Sequence, residues 1–264
     1  MASISAADVQ ALRKQTGAGM LDAKRALEEA DGDMERAAKA LREKGLAGAA
    51  KRADRENEQG AVALVVDRGV AALAELKCET DFVAKSDDFT RTVETLASSV
   101  ASDGLVAAEA IAPQIDSLKL TLKENIEVGK VARLEAGPDE IVDGYLHLQS
   151  GRGIVGVAVK VRNGSKELAH DIALHIAFAR PSYLRREEVA PEVVAEERAT
   201  LETLTRNEGK PEAALPKIVE GRLDGFFKQI CLLEQPYIRD EKQSVAQLLG
   251  NAEVTEFALV VVGG

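Results

Sequence analysis

Tryptophan is absent from the chain and aromatic residues make up only 3% of it, so any core must be built from Ala, Val, Leu and Ile. Cysteine is nearly absent too. Cys78 and Cys231 alone cannot make a disulfide framework or a cysteine-built zinc cluster. Long apolar runs are missing: none approaches the ~20 residues of a membrane span. The N-terminal MASISAADVQALRKQ turns amphipathic at once, without the apolar centre of a signal peptide. A cytoplasmic protein with no membrane contact is expected. A surplus of positive charge is lacking as well. The formal net charge of -10 argues against a general nucleic-acid binder, whose affinity rests on neutralising phosphates. The charge is uneven, however: residues 1–55 hold 11 Lys/Arg and 9 Asp/Glu, net +2, which leaves net -12 for the rest.

The whole chain of 264 residues is 45% hydrophobic and 30% charged, which suits one large or two to three small soluble domains. Residues 5–45 predict three short helices. Ser5 or Asp8 caps the first, TGAGM (Thr16 to Met20) interrupts, Asp22 opens the second, and Gly45 closes the third. The charged, Ala-rich LAGAAKRADRENEQG then predicts a helical or frayed linker. Gly60 to Leu76 follows as two apolar runs about Asp67-Arg68-Gly69, a β-hairpin pattern. Helices are expected over about Asp87 to Val100 and Gln114 to Lys123.

Gly144 to Val161 resembles the first hairpin. At an offset of 84, Gly60, Leu64, Arg68, Gly69 and Ala74 meet Gly144, Leu148, Arg152, Gly153 and Ala158. A helix over Lys166 to Ala179 completes a duplicated strand–turn–strand–helix unit. Where the first unit carries Thr80-Asp81-Phe82-Val83, the second has Gly164-Ser165-Lys166-Glu167, an ordinary polar start to a helix. The fold therefore does not require an apolar Phe-Val pair set among Asp81, Lys85, Asp87 and Asp88. Helices over Val193 to Asn207 and Ala214 to Leu233 form an antiparallel hairpin about a Gly-Pro turn. A short helix at Ser244 to Leu249 and an apolar strand at Val254 to Val262, expected at a sheet edge, end the pattern.

Several chemical motifs fail on context. Gly151-Arg152-Gly153-Ile154-Val155-Gly156 satisfies G-x-G-x-x-G, but a strand pattern follows it where a dinucleotide site needs a helix. Val157-Ala158-Val159-Lys160 mimics a kinase lysine motif but follows the glycines immediately, and no H-R-D-x-x-x-x-N or D-F-G occurs. His147, His170 and His175 do not form H-E-x-x-H. His175 suits a packed helix face and His170 a solvated one, while His147 alternates with Tyr145 on a strand and suits a contact. Cys78 reads as a small buried residue. No nucleophile, base and oxyanion set emerges. Neither an enzyme nor a cofactor or metal site is expected.

These motifs, in order, resemble bacterial elongation factor Ts from about residue 4 to 260. The residues that carry the resemblance are Leu12-Arg13, Thr16-Gly17-Ala18-Gly19-Met20, Asp22-Ala23-Lys24-Arg25-Ala26-Leu27, Cys78-Glu79-Thr80-Asp81-Phe82-Val83-Ala84-Lys85, His175 before Arg180-Pro181, GKPEAALPKIVEGRLDGFFK and LLEQPYIRDEKQSVAQLL. The resemblance implies an α+β fold: a ubiquitin-associated-like three-helix module and linker over residues 1–54, then related core subdomains at 55–140 and 141–264. The second would carry a protruding helical hairpin at about 182–233. The implied function is guanine-nucleotide exchange on elongation factor Tu, with Thr80, Asp81, Phe82 and Val83 disturbing Mg²⁺ coordination beside the nucleotide. Leu12, Met20 and His147 would touch the partner, although Leu12 and Met20 equally suit the core of so small a bundle. Self-association through the helical hairpin stays open. The competing expectation is a ubiquitin-associated-type adaptor on a scaffold body. One departure stands out: Lys123 takes the place of a family glycine before Glu124-Asn125, adding bulk and charge, and a backbone angle different from the glycine's is expected there.

Overall fold

Small apolar residues at helical spacing build the first three helices of the computed structural model, which describes residues 4–264. They are α1 (Ala6–Thr16), α2 (Met20–Glu29) and α3 (Met34–Ala50). Ser5 is the cap of α1: its hydroxyl accepts from the Asp8 N–H at 3.1 Å while the Asp8 carboxylate accepts from the Ser5 N–H at 3.0 Å. Val9, Leu12, Ala23, Ala26, Leu27, Ala30 and Ala37 pack together as the centre of this head. Two boundaries differ from expectation. Extended backbone at Gly19 starts α2 at Met20, ahead of Asp22, and α3 passes through Gly45.

The first hairpin pairs β1 (Gln59–Asp67) with β2 (Val70–Cys78), from Gln59–Cys78 to Asp67–Val70. Arg68 and Gly69 both take positive φ, 46° and 78°, as a two-residue turn between right-twisted strands requires. Beyond it come α4 (Asp81–Ala84), α5 (Asp87–Asp103), α6 (Ala107–Ala110), α7 (Ala112–Leu122) and β3 (Glu127–Glu135). The second hairpin is β4 (Glu140–Gln149) and β5 (Arg152–Arg162), followed by α8 (Lys166–Ala179), α9 (Pro191–Asn207) and α10 (Leu215–Ile230). The chain closes with β6 (Pro236–Tyr237), β7 (Asp240–Ser244), α11 (Val245–Leu249) and β8 (Glu253–Val261). Gly45 does not stop α3 because α7 packs there: a Cβ on Gly45 would lie 2.3 Å from a Leu120 methyl.

The main sheet is antiparallel and runs β3-β2-β1-β5-β4, with β8 also paired to β5. Helices cover it from outside. Phe89, Val93, Leu96 and Val100 of α5 pack on Ala61, Ala63, Ala72, Ala74 and Leu76. Ala169, Ile172, Ala173 and Ile176 of α8 pack on Val155, Val157, Val159 and Val161. The opposite faces meet each other, with Val62, Leu73 and Leu134 against Val142, Ala158 and Val260. Among the described residues the strands of the two halves pair only at Val62–Gly153. A Cβ on Gly153 would sit 2.1 Å from the Val62 carbonyl oxygen, and one on Gly156 2.7 Å from a Leu73 methyl. The G-x-G-x-x-G stretch is thus a turn glycine followed by two glycines that let strands cross closely.

The repeat is real in arrangement but not in the expected register. The turns that correspond are Arg68-Gly69 and Ser150-Gly151, 82 residues apart rather than 84. A β-bulge at Ile154, the one residue of β5 between the pairs His147–Val155 and Leu148–Gly153, then shifts the rest of β5 by one more. An offset of 84 would equate Leu73, which faces the opposite half, with Val157, which faces α8. Strand β3, which sequence reading did not anticipate, flanks β2 as β8 flanks β5. Its pattern hid it: most of its residues are half-buried, so apolar alternation is weak.

Helices α9 and α10 pack antiparallel, α9 starting two residues before Val193 because Pro191 occupies its first turn. Val189, Leu223, Phe227 and Cys231 close their base. His175 is wholly buried, its Nδ1 accepting from the Ile238 N–H at 3.4 Å and its Nε2 lying 2.9 Å from Gln235 Oε1. Burial holds its pKa below the ordinary value of 6.5. The unfolded chain therefore takes up a proton near pH 6.5 that the folded chain refuses, so this contribution is full above that pH and is lost as pH falls. Thermal melts between pH 7.5 and 5.5 should show the native chain losing more stability than His175→Gln; parallel losses would contradict the assignment. Lys123 ends α7 in the left-handed region, φ 58° and ψ 32°. Lys123→Gly should raise unfolding stability by about 1 kcal/mol in urea titration.

Candidate functional site

Seven residues, 79–85, separate β2 from Ser86, the cap of α5, whereas only Asn163 and Gly164 separate β5 from Ser165, the cap of α8. The first unit thus carries an inserted turn in the position the second leaves bare. That turn is α4. Thr80 caps it, its hydroxyl accepting from the Val83 N–H at 3.3 Å. Val83 is half-buried against the α5 core and Ala84 is wholly buried, which anchors the turn from below. Phe82 points the other way and is 84% exposed.

Exposure alone does not single out Phe82, since Leu21 and Phe178 are about as exposed and scattered surface hydrophobes are common. Its base does. Glu124, just past α7, accepts from the Glu79 N–H at 3.0 Å, the Thr80 N–H at 3.1 Å and the Thr80 hydroxyl. Glu79 answers by accepting from the Asn125 N–H at 2.7 Å and pairing with Arg55 at 3.2 Å. Asn125, buried, donates its amide to the carbonyls of Ala53 and Arg55. Asp81 pairs with Lys85 one turn on, at 2.5 Å, and that hydrogen bond holds its carboxyl below the usual carboxylate range. Arg152, from the second hairpin, donates to the Gly60 carbonyl at 2.6 Å and to Gln59 Oε1 at 2.9 Å, and its charge reaches Asp81. The turn is small, but its footing is rigid.

Nothing here is arranged for covalent chemistry. Cys78 lies under the turn with its thiol toward the Thr80 carbonyl, and burial, with Glu124 adding, pushes its pKa up to about 12. It is the packed residue expected, not a nucleophile. Among the described residues no cluster of three His, Cys, Asp or Glu is placed to hold a metal, and no helix is long and apolar enough to cross a membrane. A cavity of about 640 Å³ lies elsewhere, between the head and α7, lined by Thr16, Asp22, Lys44, Arg52, Leu120 and Lys123.

The other expected contact residues fall apart in kind. Met20 stands half-exposed at the start of α2 beside the more exposed Leu21, which sequence reading passed over. Leu12 is wholly buried in the head core, so of its two expected roles the structure places it in the core. His147 is exposed on β4, its Nδ1 3.3 Å from the Tyr145 hydroxyl. Thr80, Asp81, Phe82 and Val83 lie together on one turn, while Met20 and His147 stand on separate elements. Glu79, Glu124, Asn125 and Arg152 were not anticipated as parts of the site. Their contacts span 44 to 93 residues of sequence, beyond the reach of periodicity.

Comparison with known proteins gives the family. The family model described as Elongation factor TS matches residues 79–264. Over its whole length the chain is 49% identical to elongation factor Ts of Clavibacter michiganensis subsp. michiganensis, with all of that protein covered. It is 45% identical to elongation factor Ts of Renibacterium salmoninarum and 44% identical to that of Streptomyces coelicolor, again with full coverage of both chains. Matches of this extent show the family: the chain belongs to the elongation factor Ts family.

Proposed function

We propose that the chain promotes GDP release from elongation factor Tu by lodging Phe82 beside the nucleotide site and disturbing the coordination of its Mg²⁺. Family membership carries the coarser part: elongation factor Ts proteins are nucleotide-exchange factors of translation elongation, not enzymes. The single observation that carries the finer part is the inserted, braced turn with an exposed ring at its tip. Burying that ring in a partner gains about 2 kcal/mol, and a rigid footing means little of the gain is lost to ordering the turn. Mg²⁺ bridging phosphate oxygens is the largest local charge in such a site, so moving its ligands weakens nucleotide binding steeply. Binding linkage requires reciprocity: a factor that loosens nucleotide is itself loosened by nucleotide.

Asp81, tied to Lys85, orients the turn and keeps a negative charge next to the ring. Met20 on the ubiquitin-associated-like head and His147 on the body fit supporting contacts at a distance from the chemistry. Leu12 contributes from inside, by fixing the helix pair that presents Met20. The reading also accommodates the division into a head with its linker (1–54) and two core subdomains (55–140 and 141–264).

Stopped-flow release of a fluorescent GDP from elongation factor Tu tests the reading. Phe82→Ala should slow the maximal release rate about thirtyfold, the equivalent of the ~2 kcal/mol of ring burial, while the complex still forms. Equal acceleration by native and variant chains would return Phe82 to the ordinary exposed hydrophobes.

A further inference from the structure

The turn that carries Phe82 cannot hold its own shape. A helix of four residues is far below the length at which helical hydrogen bonding sustains itself in water, and Phe82 itself is held by no core. Val83 and Ala84 anchor the turn from below; what fixes its upper end is its cap, and what fixes the cap is Glu124. The Thr80 hydroxyl accepts from the Val83 N–H on one side and donates to Glu124 Oε1 on the other. Both backbone N–H groups leading into the cap, of Glu79 and Thr80, end on Glu124 Oε2. Three donors converge on one side chain, and only a carboxylate offers acceptors alone to meet them; an amide would turn an NH₂ toward one of them.

We propose that Glu124 is a positioning residue for nucleotide exchange: without touching the nucleotide, its carboxylate locks the Thr80 cap from which Phe82 is presented. The proposal rests on the exchange role given to Phe82, and it assigns a task to a residue 42 positions further along the chain. Asn125, next in sequence, clasps the carbonyls of Ala53 and Arg55. The peptide that ends α7 therefore braces the turn and the linker together.

The test uses Glu124→Gln and, as a milder change, Thr80→Val, which removes only the hydroxyl link. In the free protein, amide hydrogen exchange at Val83 should quicken about tenfold in both variants, as loss of one cap hydrogen bond implies. Unchanged exchange would overturn the proposal. Fluorescent-GDP release is then measured at saturating factor, in the native background and in Phe82→Ala. Glu124→Gln should lower the maximal rate about tenfold where Phe82 is present, leave the half-saturating concentration within about twofold, and change nothing further where Phe82 is already alanine. Equal losses in both backgrounds would show a merely structural part for Glu124 and overturn the assignment. Native protein that fails to accelerate release would sink the exchange reading by itself, leaving the amide measurement to decide whether Glu124 positions the turn.

Discussion

The close crossing of β5 over β1, where Gly153 meets the Val62 carbonyl, is the constraint on which the rest of the molecule depends. It brings two half-sheets face to face with no room for large side chains between them. That explains an interior of Ala, Val, Leu and Gly and the scarcity of aromatics. With α5 on one outer face and α8 on the other, β2 and β5 are buried from both sides, and their runs are apolar without alternation. The crossing also places Arg152 of the second hairpin on Gln59 and Gly60 at the start of the first. The base of the Phe82 turn is thereby built from both halves.

Duplication supplies the frame for function. Two strand–turn–strand–helix units differ at the passage from strand to helix: one goes through two residues, the other through seven. The longer passage is the only one with a capped turn and an exposed aromatic at its tip. Extra residues that added nothing to the core would be free to drift. Here Ala84 and Val83 hold them from beneath and Glu124 from the side.

Much of this was legible in the sequence, and the parts that were not share a cause. The hairpins announce themselves through paired apolar runs about turn residues, helices α5 and α8 through period-3.6 patterns, and the edge strand β8 through its apolar run. So did the oddity of Phe82-Val83 amid charges. The repeat was visible, but its register was not. Identical glycines and arginines aligned the turns two residues out, because a bulge and a different turn sequence, Ser150-Gly151, leave no periodic trace. Strand β3 was hidden by its half-exposed, mixed composition. A lysine in place of a family glycine suggests a changed backbone angle, but Lys123 keeps the left-handed conformation that glycine favours. The bracing roles of the neighbouring Glu124 and Asn125 leave no local signature, since their partners lie some 45 and 70 residues away.

The central claim is that an exposed ring on a braced turn loosens nucleotide by disturbing Mg²⁺ in the partner. The most direct measurement is the release rate of fluorescent GDP from elongation factor Tu at saturating factor, in excess Mg²⁺ and again with Mg²⁺ chelated. If the account holds, chelation raises the spontaneous rate and removes most of the advantage the native chain confers. The same fold-acceleration with and without Mg²⁺ would contradict it.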